Sequence, residues 1–252
     1  MRRLKLFLIF LFLPLVLLAD NQSWQVFKST HFLIFYRNAS EDELNTLSQK
    51  AEECYNNIAD DLGLNRFNFW TWDNRAKIYL YDSQEEYQKA TNGAEWSMGQ
   101  AETRSKVIQT FLTAPGFLED VLPHELAHII FLEMVGFNNP AIPLWLEEGV
   151  ASYHEKEISS VKADLTGKLK KGDFINLDAL SRFEVAGSKD SEKVELFYEE
   201  SYSLVKYLIG VFGQEKFVFF CQELRDSRNL TKALSRTYSF KDLVDFENSW
   251  KS

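Results

Sequence analysis

His124-Glu125-Leu126-Ala127-His128 is the stretch on which the reading of this 252-residue chain turns. On an α-helix, positions four apart share one face, so two His at that spacing can aim ring nitrogens at a common point. The pattern is H-E-x-x-H: two ligands for one Zn²⁺ ion, with a Glu placed to act as general base toward water at that ion. The chain has only four His (31, 124, 128 and 154), and half of them fall in this pentapeptide.

Working outward, Asp120 to Val135 reads as a very apolar helix closed by Gly136, with Glu119 and Asp120 expected to serve its first turn as cap and dipole partners. A catalytic zinc takes three protein ligands and keeps one position open. The third is sought downstream, in Pro143-Leu144-Trp145-Leu146-Glu147-Glu148-Gly149-Val150-Ala151-Ser152-Tyr153. Pro143 suits the first residue of a helix running to about Glu157, since its missing N–H would be unpaired there in any case. The connection 137–142 is short enough to return this helix antiparallel to the first. A carboxylate one turn in then faces the His pair, and Gly149 lets the helices approach. Glu147 and Glu148 stand about 100° apart on a helix, so one of them can point at the metal.

H-E-L-A-H followed by W-L-x-E-G-x-A-S-Y resembles the gluzincin metallopeptidases, the thermolysin-like and M1-aminopeptidase-like enzymes, and among them the peptidase MA-like domains. The resemblance runs in motif order from Lys106 to Phe212. It implies a thermolysin-like zincin of α+β class, one Zn²⁺ ion held by His124, His128 and the Glu directly before Gly, Glu148, and hydrolysis of a peptide or protein substrate with Glu125 as general base. Nineteen residues separate His128 from Glu148, whereas the M1-like count of eighteen would select Glu147; the local W-L-x-E-G match favours Glu148. Phe197 to Leu208 resembles the helix that in M1-like enzymes carries an oxyanion-binding Tyr, which maps to Tyr198, with Tyr202 one turn on as the alternative. Lys106 to Thr113 resembles, by position, the edge strand that pairs with substrate backbone. No G-A-M-E-N-like segment precedes the His pair, Gly99-Gln100-Ala101-Glu102 being a poor match, so the resemblance does not extend to aminopeptidase specificity. Two rivals stand beside this reading: a non-peptidase zinc hydrolase on the same scaffold, and an exported binding protein with a degenerate site. The intact Glu125 argues against the second, because a purely structural zinc has no use for a base.

The remaining chain sets the context. Trp24 to Arg37 suits strands around a turn at Ser29-Thr30. Ser40 to Leu62 is a helix opened by a Ser40/Glu43 capping box and stopped by Gly63. Ala76 to Tyr81 is a strand, Ser83 to Ala90 a short helix, and Met98 to Thr113 a hairpin. Lys193 to Phe212 is a long helix, followed by shorter ones to Trp250. The layout is α+β: a mixed sheet with helices over about 24–116, then a mostly helical lobe over about 117–252. His31 reads as a packed His and His154 as a surface one.

Hydrophobic residues at 45% and aromatics at 15% exclude a disordered chain. The formal charge of −9 excludes nucleic acid as a natural partner. Residues 1–19 carry Arg2, Arg3 and Lys5 ahead of an uncharged run from Leu6 to Ala19, short for a membrane span and suited to a secretory signal peptide. The expectation is an exported, periplasmic or extracellular protein comprising 20–252, membrane-attached only if the segment stays as an anchor. Cys54 and Cys221 are the two cysteines; they are compatible with one disulfide or with two buried thiols.

Overall fold

The computed structural model describes residues 23–64, 70–92, 97–155, 172–185, 188 and 190–252. The segment 1–19 lies outside these, as do residues 156–171 of the polar stretch that follows the second motif helix. No helix among the described residues is long and apolar enough to cross a membrane.

The fold is α+β. Strands β1 (Gln25–Lys28), β2 (Phe32–Tyr36), β3 (Ala76–Tyr81), β4 (Gly99–Glu102) and β5 (Val107–Phe111) form one mixed sheet in the order β1-β2-β3-β5-β4. β1 and β4 pair antiparallel to their neighbours, while β2, β3 and β5 run parallel. Helix α1 (Glu41–Asp61) makes the crossover from β2 to β3, and α2 (Gln84–Thr91) follows β3. The α1 start is the expected capping box: Ser40 Oγ accepts from Glu43 N, and Glu43 returns the bond to the Ser40 N–H.

Alternation divides the sheet into two faces. Phe32, Ile34, Ala76, Ile78 and Ile108 enter the main core against Leu47, Ala51 and Ile58 of α1. Tyr81 and Phe111, of opposite parity, close on Tyr87 of α2 in a smaller cluster. The strand expected at the edge is not there. Val107–Phe111 lies inside the sheet, between β3 and β4, and the short polar strand Gly99–Glu102 forms the edge. The reason is burial: Ile108, Thr110 and Phe111 are covered, whereas no residue of β4 is fully buried. A polar strand tolerates the rim, and an apolar one does not.

From Leu122 onward the described elements are all helices: α3 (Leu122–Val135), α4 (Leu144–Tyr153), α5 (Leu177–Leu180), α6 (Ser191–Phe212), α7 (Gln214–Ser227), α8 (Leu230–Tyr238) and α9 (Leu243–Lys251). The apolar helix starts two residues later than expected. A wide turn with i→i+5 bonds, Phe117–Val121, precedes it, entered through Gly116 at φ +67°. Pro123 has no N–H to extend an α-type ladder back to Glu119, so the regular helix begins only beyond the wide turn. Leu122 N donates to Phe117 O, and α3 carries no side-chain cap, so Glu119 and Asp120 do not cap it as expected. Pro143 likewise stands one place before α4, in extended conformation, and α4 ends at Tyr153 rather than near Glu157.

α3 is buried on nearly every side, touching α1, β4, α4 and α7, which accounts for its all-round hydrophobicity. One continuous core extends from Phe32 to Trp250 and draws on both halves of the chain. Cys54 and Cys221 are buried free thiols; burial pushes Cys54 up to about 11.

Candidate metal centre and its cleft

α3 presents His124 and His128 one turn apart, with their Nε2 atoms 2.9 Å from each other. α4 brings Glu148 against them, its Oε2 lying 3.7 Å from His124 Nε2 and 3.6 Å from His128 Nε2. These three are the group among the described residues able to hold a metal ion. Four ligands at about 2.1 Å in a tetrahedron stand about 3.4 Å from one another. The observed separations bracket that value, so the donor set fits zinc in geometry as in chemistry.

Electrostatics agrees with that fit. Burial raises the Glu148 carboxyl above its ordinary range, Glu147 and Glu125 add to the effect, and His128 and His124 oppose it. Burial alone would lower His128, but the neighbouring carboxylates of Glu147, Glu148 and Glu125 outweigh it and hold the imidazole above its usual value. The pocket is short of positive charge, and a cation between the two Nε2 atoms and Glu148 would supply it.

The neighbouring carboxylates have distinct places. Glu147 faces the far nitrogen of His128, with Oε1 3.4 Å from Nδ1. Glu155 lies 2.5 Å from His124 Nδ1. Each His therefore has a carboxylate behind it and its Nε2 free to face Glu148, the usual support that selects a tautomer and holds a ring. Glu155 was not among the residues singled out from the sequence. No helical periodicity marks it, because α4 ends at Tyr153 and Glu155 lies in the chain just beyond that end.

Glu125 opens onto a cleft of about 340 Å³ lined on one side by Ser97, Met98 and Gly99 and on the other by Asp120, Val121, His124 and Glu155. The strand side of this cleft is the approach to the edge strand β4. Gly99 packs closely there: a Cβ would stand 3.0 Å from the side chains of both Phe117 and Val121.

Of the two tyrosines, Tyr198 is the one near the carboxylates. Burial first, then the charges of Glu148, Glu155 and Glu125, push its hydroxyl up to about 12. Tyr202 is buried beside Tyr153, with ring centroids 6.3 Å apart, and lies under Lys206. His31 packs as expected, stacked on Tyr55 at 4.1 Å with Nδ1 2.6 Å from Glu52. His154 does not sit at the surface. Its side chain is 8% exposed, with Nε2 3.2 Å from Asp61 at the end of α1 and Nδ1 donating to Val150 O. α4 ends against α1, and that contact removes His154 from solvent.

The sequence profile of the peptidase MA superfamily matches residues 70–252, from just ahead of β3 to the last helix. No curated protein matches the chain. The profile spans the sheet edge, the His pair, the Glu147-Glu148 turn and Tyr198, the same segments that build the centre. The chain belongs to the peptidase MA superfamily.

Proposed function

We propose that this protein is an exported zinc-dependent peptidase of the gluzincin type. The observation that carries the reading is the convergence of His124 Nε2, His128 Nε2 and Glu148 Oε2 beside an open cleft. These three would hold one ion. Bound zinc supplies Lewis acidity, making water ionisable near neutrality and polarising a carbonyl oxygen.

The chain's own groups do the rest. Glu125 takes a proton from the attacking water at its carboxylate and returns it to the departing amine. Tyr198 donates its hydroxyl to the oxyanion, and a hydroxyl held near 12 keeps its proton throughout the working range. Glu155 accepts the Nδ1 proton of His124, and Glu147 faces His128 Nδ1 at 3.4 Å, leaving each Nε2 lone pair for the ion. The edge of β4 lies along the cleft, so an extended peptide would add there as a further strand through main-chain hydrogen bonds. Export rests on the segment 1–19 alone.

Metal analysis combined with cleavage of a peptide library, by wild type and Glu125→Gln, tests the reading. Stoichiometric zinc in both proteins with cleavage lost in the variant is expected. Zinc without cleavage in either refutes the peptidase reading and points to a non-peptidase zinc hydrolase or a binding protein on the same scaffold, and absence of zinc sinks the proposal.

A further inference from the structure

Gly149 sits beside Glu148, and from sequence its small size was read as room for α4 to approach the His helix. The structure places the close approach elsewhere. A Cβ at Gly149 would stand 2.3 Å from Ser201 O, 2.8 Å from Ser201 C and 2.7 Å from Val205 Cγ2, all on α6. Ser201 and Val205 are fully buried, and so are Phe197 and Leu204 on the same helix. Ser201 Oγ donates to Phe197 O at 2.6 Å. The neighbour is therefore the backbone of a packed helix, which cannot move aside as a side chain can.

α4 carries Glu147 and Glu148, and Glu155 follows its end. α6 carries Tyr198, three residues before Ser201. Gly149 is thus the point at which the carboxylate-bearing helix touches the phenol-bearing one. Resting on the peptidase reading above, we propose that Gly149 is a positioning residue: by having no side chain it sets the separation of α4 and α6, and with it the distance of the Tyr198 hydroxyl from the metal centre. An added methyl needs α6 to withdraw by roughly 1 Å to restore ordinary contact. A displacement of that size at a reacting group costs on the order of 10- to 100-fold in rate.

The test is Gly149→Ala in the full chain. Ala is the better helix former, so a loss of activity does not come from a weaker α4. The expected result is a fall in kcat of about 10- to 100-fold, with zinc content and KM close to wild type. In a Tyr198→Phe background the same substitution should cost little more, because the hydroxyl whose place it disturbs is already gone. Full activity in Gly149→Ala, or losses that multiply with Tyr198→Phe, overturns the assignment. If Gly149→Ala does not fold, Val205→Ile crowds the same point with a side chain that can adjust, and the same non-additivity with Tyr198→Phe is expected. A structural measurement needs no turnover: crystals of wild type and variant should show the Tyr198 hydroxyl farther from the Glu148 carboxylate in the variant. An unchanged separation refutes the positioning role. A wild type that binds zinc and cleaves nothing refutes the peptidase reading and leaves that measurement decisive for Gly149.

Discussion

Replacing Glu155 by Gln changes one charge and almost no volume, and the geometry around His124 says what that charge is worth. The carboxylate lies 2.5 Å from Nδ1, and the two side chains are only 20% and 15% exposed. A charge-assisted bond so shielded holds the ring and raises its basicity at Nε2. Losing such support typically lowers metal affinity 10- to 100-fold, about 1.4–2.7 kcal/mol. Glu147 stands farther from its His, at 3.4 Å, and is more exposed at 27%, so Glu147→Gln should weaken zinc less. Glu148→Gln removes a donor that faces both Nε2 atoms and should weaken it more than either. The assay is competition for zinc against a chromophoric chelator at fixed neutral pH, with thermal melts to exclude unfolding. The expected order of loss is Glu148, then Glu155, then Glu147. Unchanged zinc affinity in Glu155→Gln, or a larger loss in Glu147→Gln than in Glu148→Gln, would show that the roles assigned to these carboxylates are wrong.

Other perturbations probe separate parts of the argument. Tyr198→Phe should lower kcat by on the order of 10²-fold while zinc stays bound, as for loss of one oxyanion donor, and Tyr202→Phe should not; equal kinetics for the two variants would remove Tyr198 from the mechanism. Ser152, 1% exposed, has an Oγ without a hydrogen-bond partner among the described residues, so Ser152→Ala should raise unfolding stability by about 1 kcal/mol in denaturant titration; a destabilised variant would mean the hydroxyl is satisfied after all. At Glu52, burial pushes the carboxyl up, but hydrogen bonds from Ser29 and from the His31 backbone and ring outweigh it and hold the group below its ordinary value. A depressed folded value means that Glu52 stabilises the fold above the unfolded value of about 4.3 and loses that contribution as pH falls through the folded one. Melting temperature should therefore drop less steeply in Glu52→Gln than in wild type across that acid window, and parallel acid limbs would contradict the linkage.

Much of this protein is local enough to read in one dimension. The Ser40/Glu43 capping box, the strand Ala76–Tyr81 and the stop at Gly136 depend on neighbours a few residues apart, and each appears where the pattern places it. The same holds for the pairing of His124 with His128, because helical spacing alone puts them on one face. Errors appear wherever the deciding partner is distant in sequence. His154 looked exposed because, six residues past Glu148, it faces away from the His pair, yet Asp61, far back at the end of α1, lies against it. Lys106 to Thr113 resembled an edge strand by its position in the motif order, but only pairing with β3 decides which arm of the hairpin is inside.

The α+β layout, the two His on one helical face, the Glu between them and the presence of a carboxylate pair one helix later were all legible in the chain alone. The W-L-x-E-G resemblance favoured Glu148 over Glu147, but helical spacing alone could not divide labour between them, since adjacent residues on a helix differ only in direction and direction has no meaning until the helix has a neighbour. The packing of α4 against α3 supplies that neighbour, turning Glu148 toward both Nε2 atoms and Glu147 toward the far side of His128. The packing of α4 against α6 decides what Gly149 is for, because a missing side chain acquires a role only where another backbone, here that of Ser201, occupies the space it leaves.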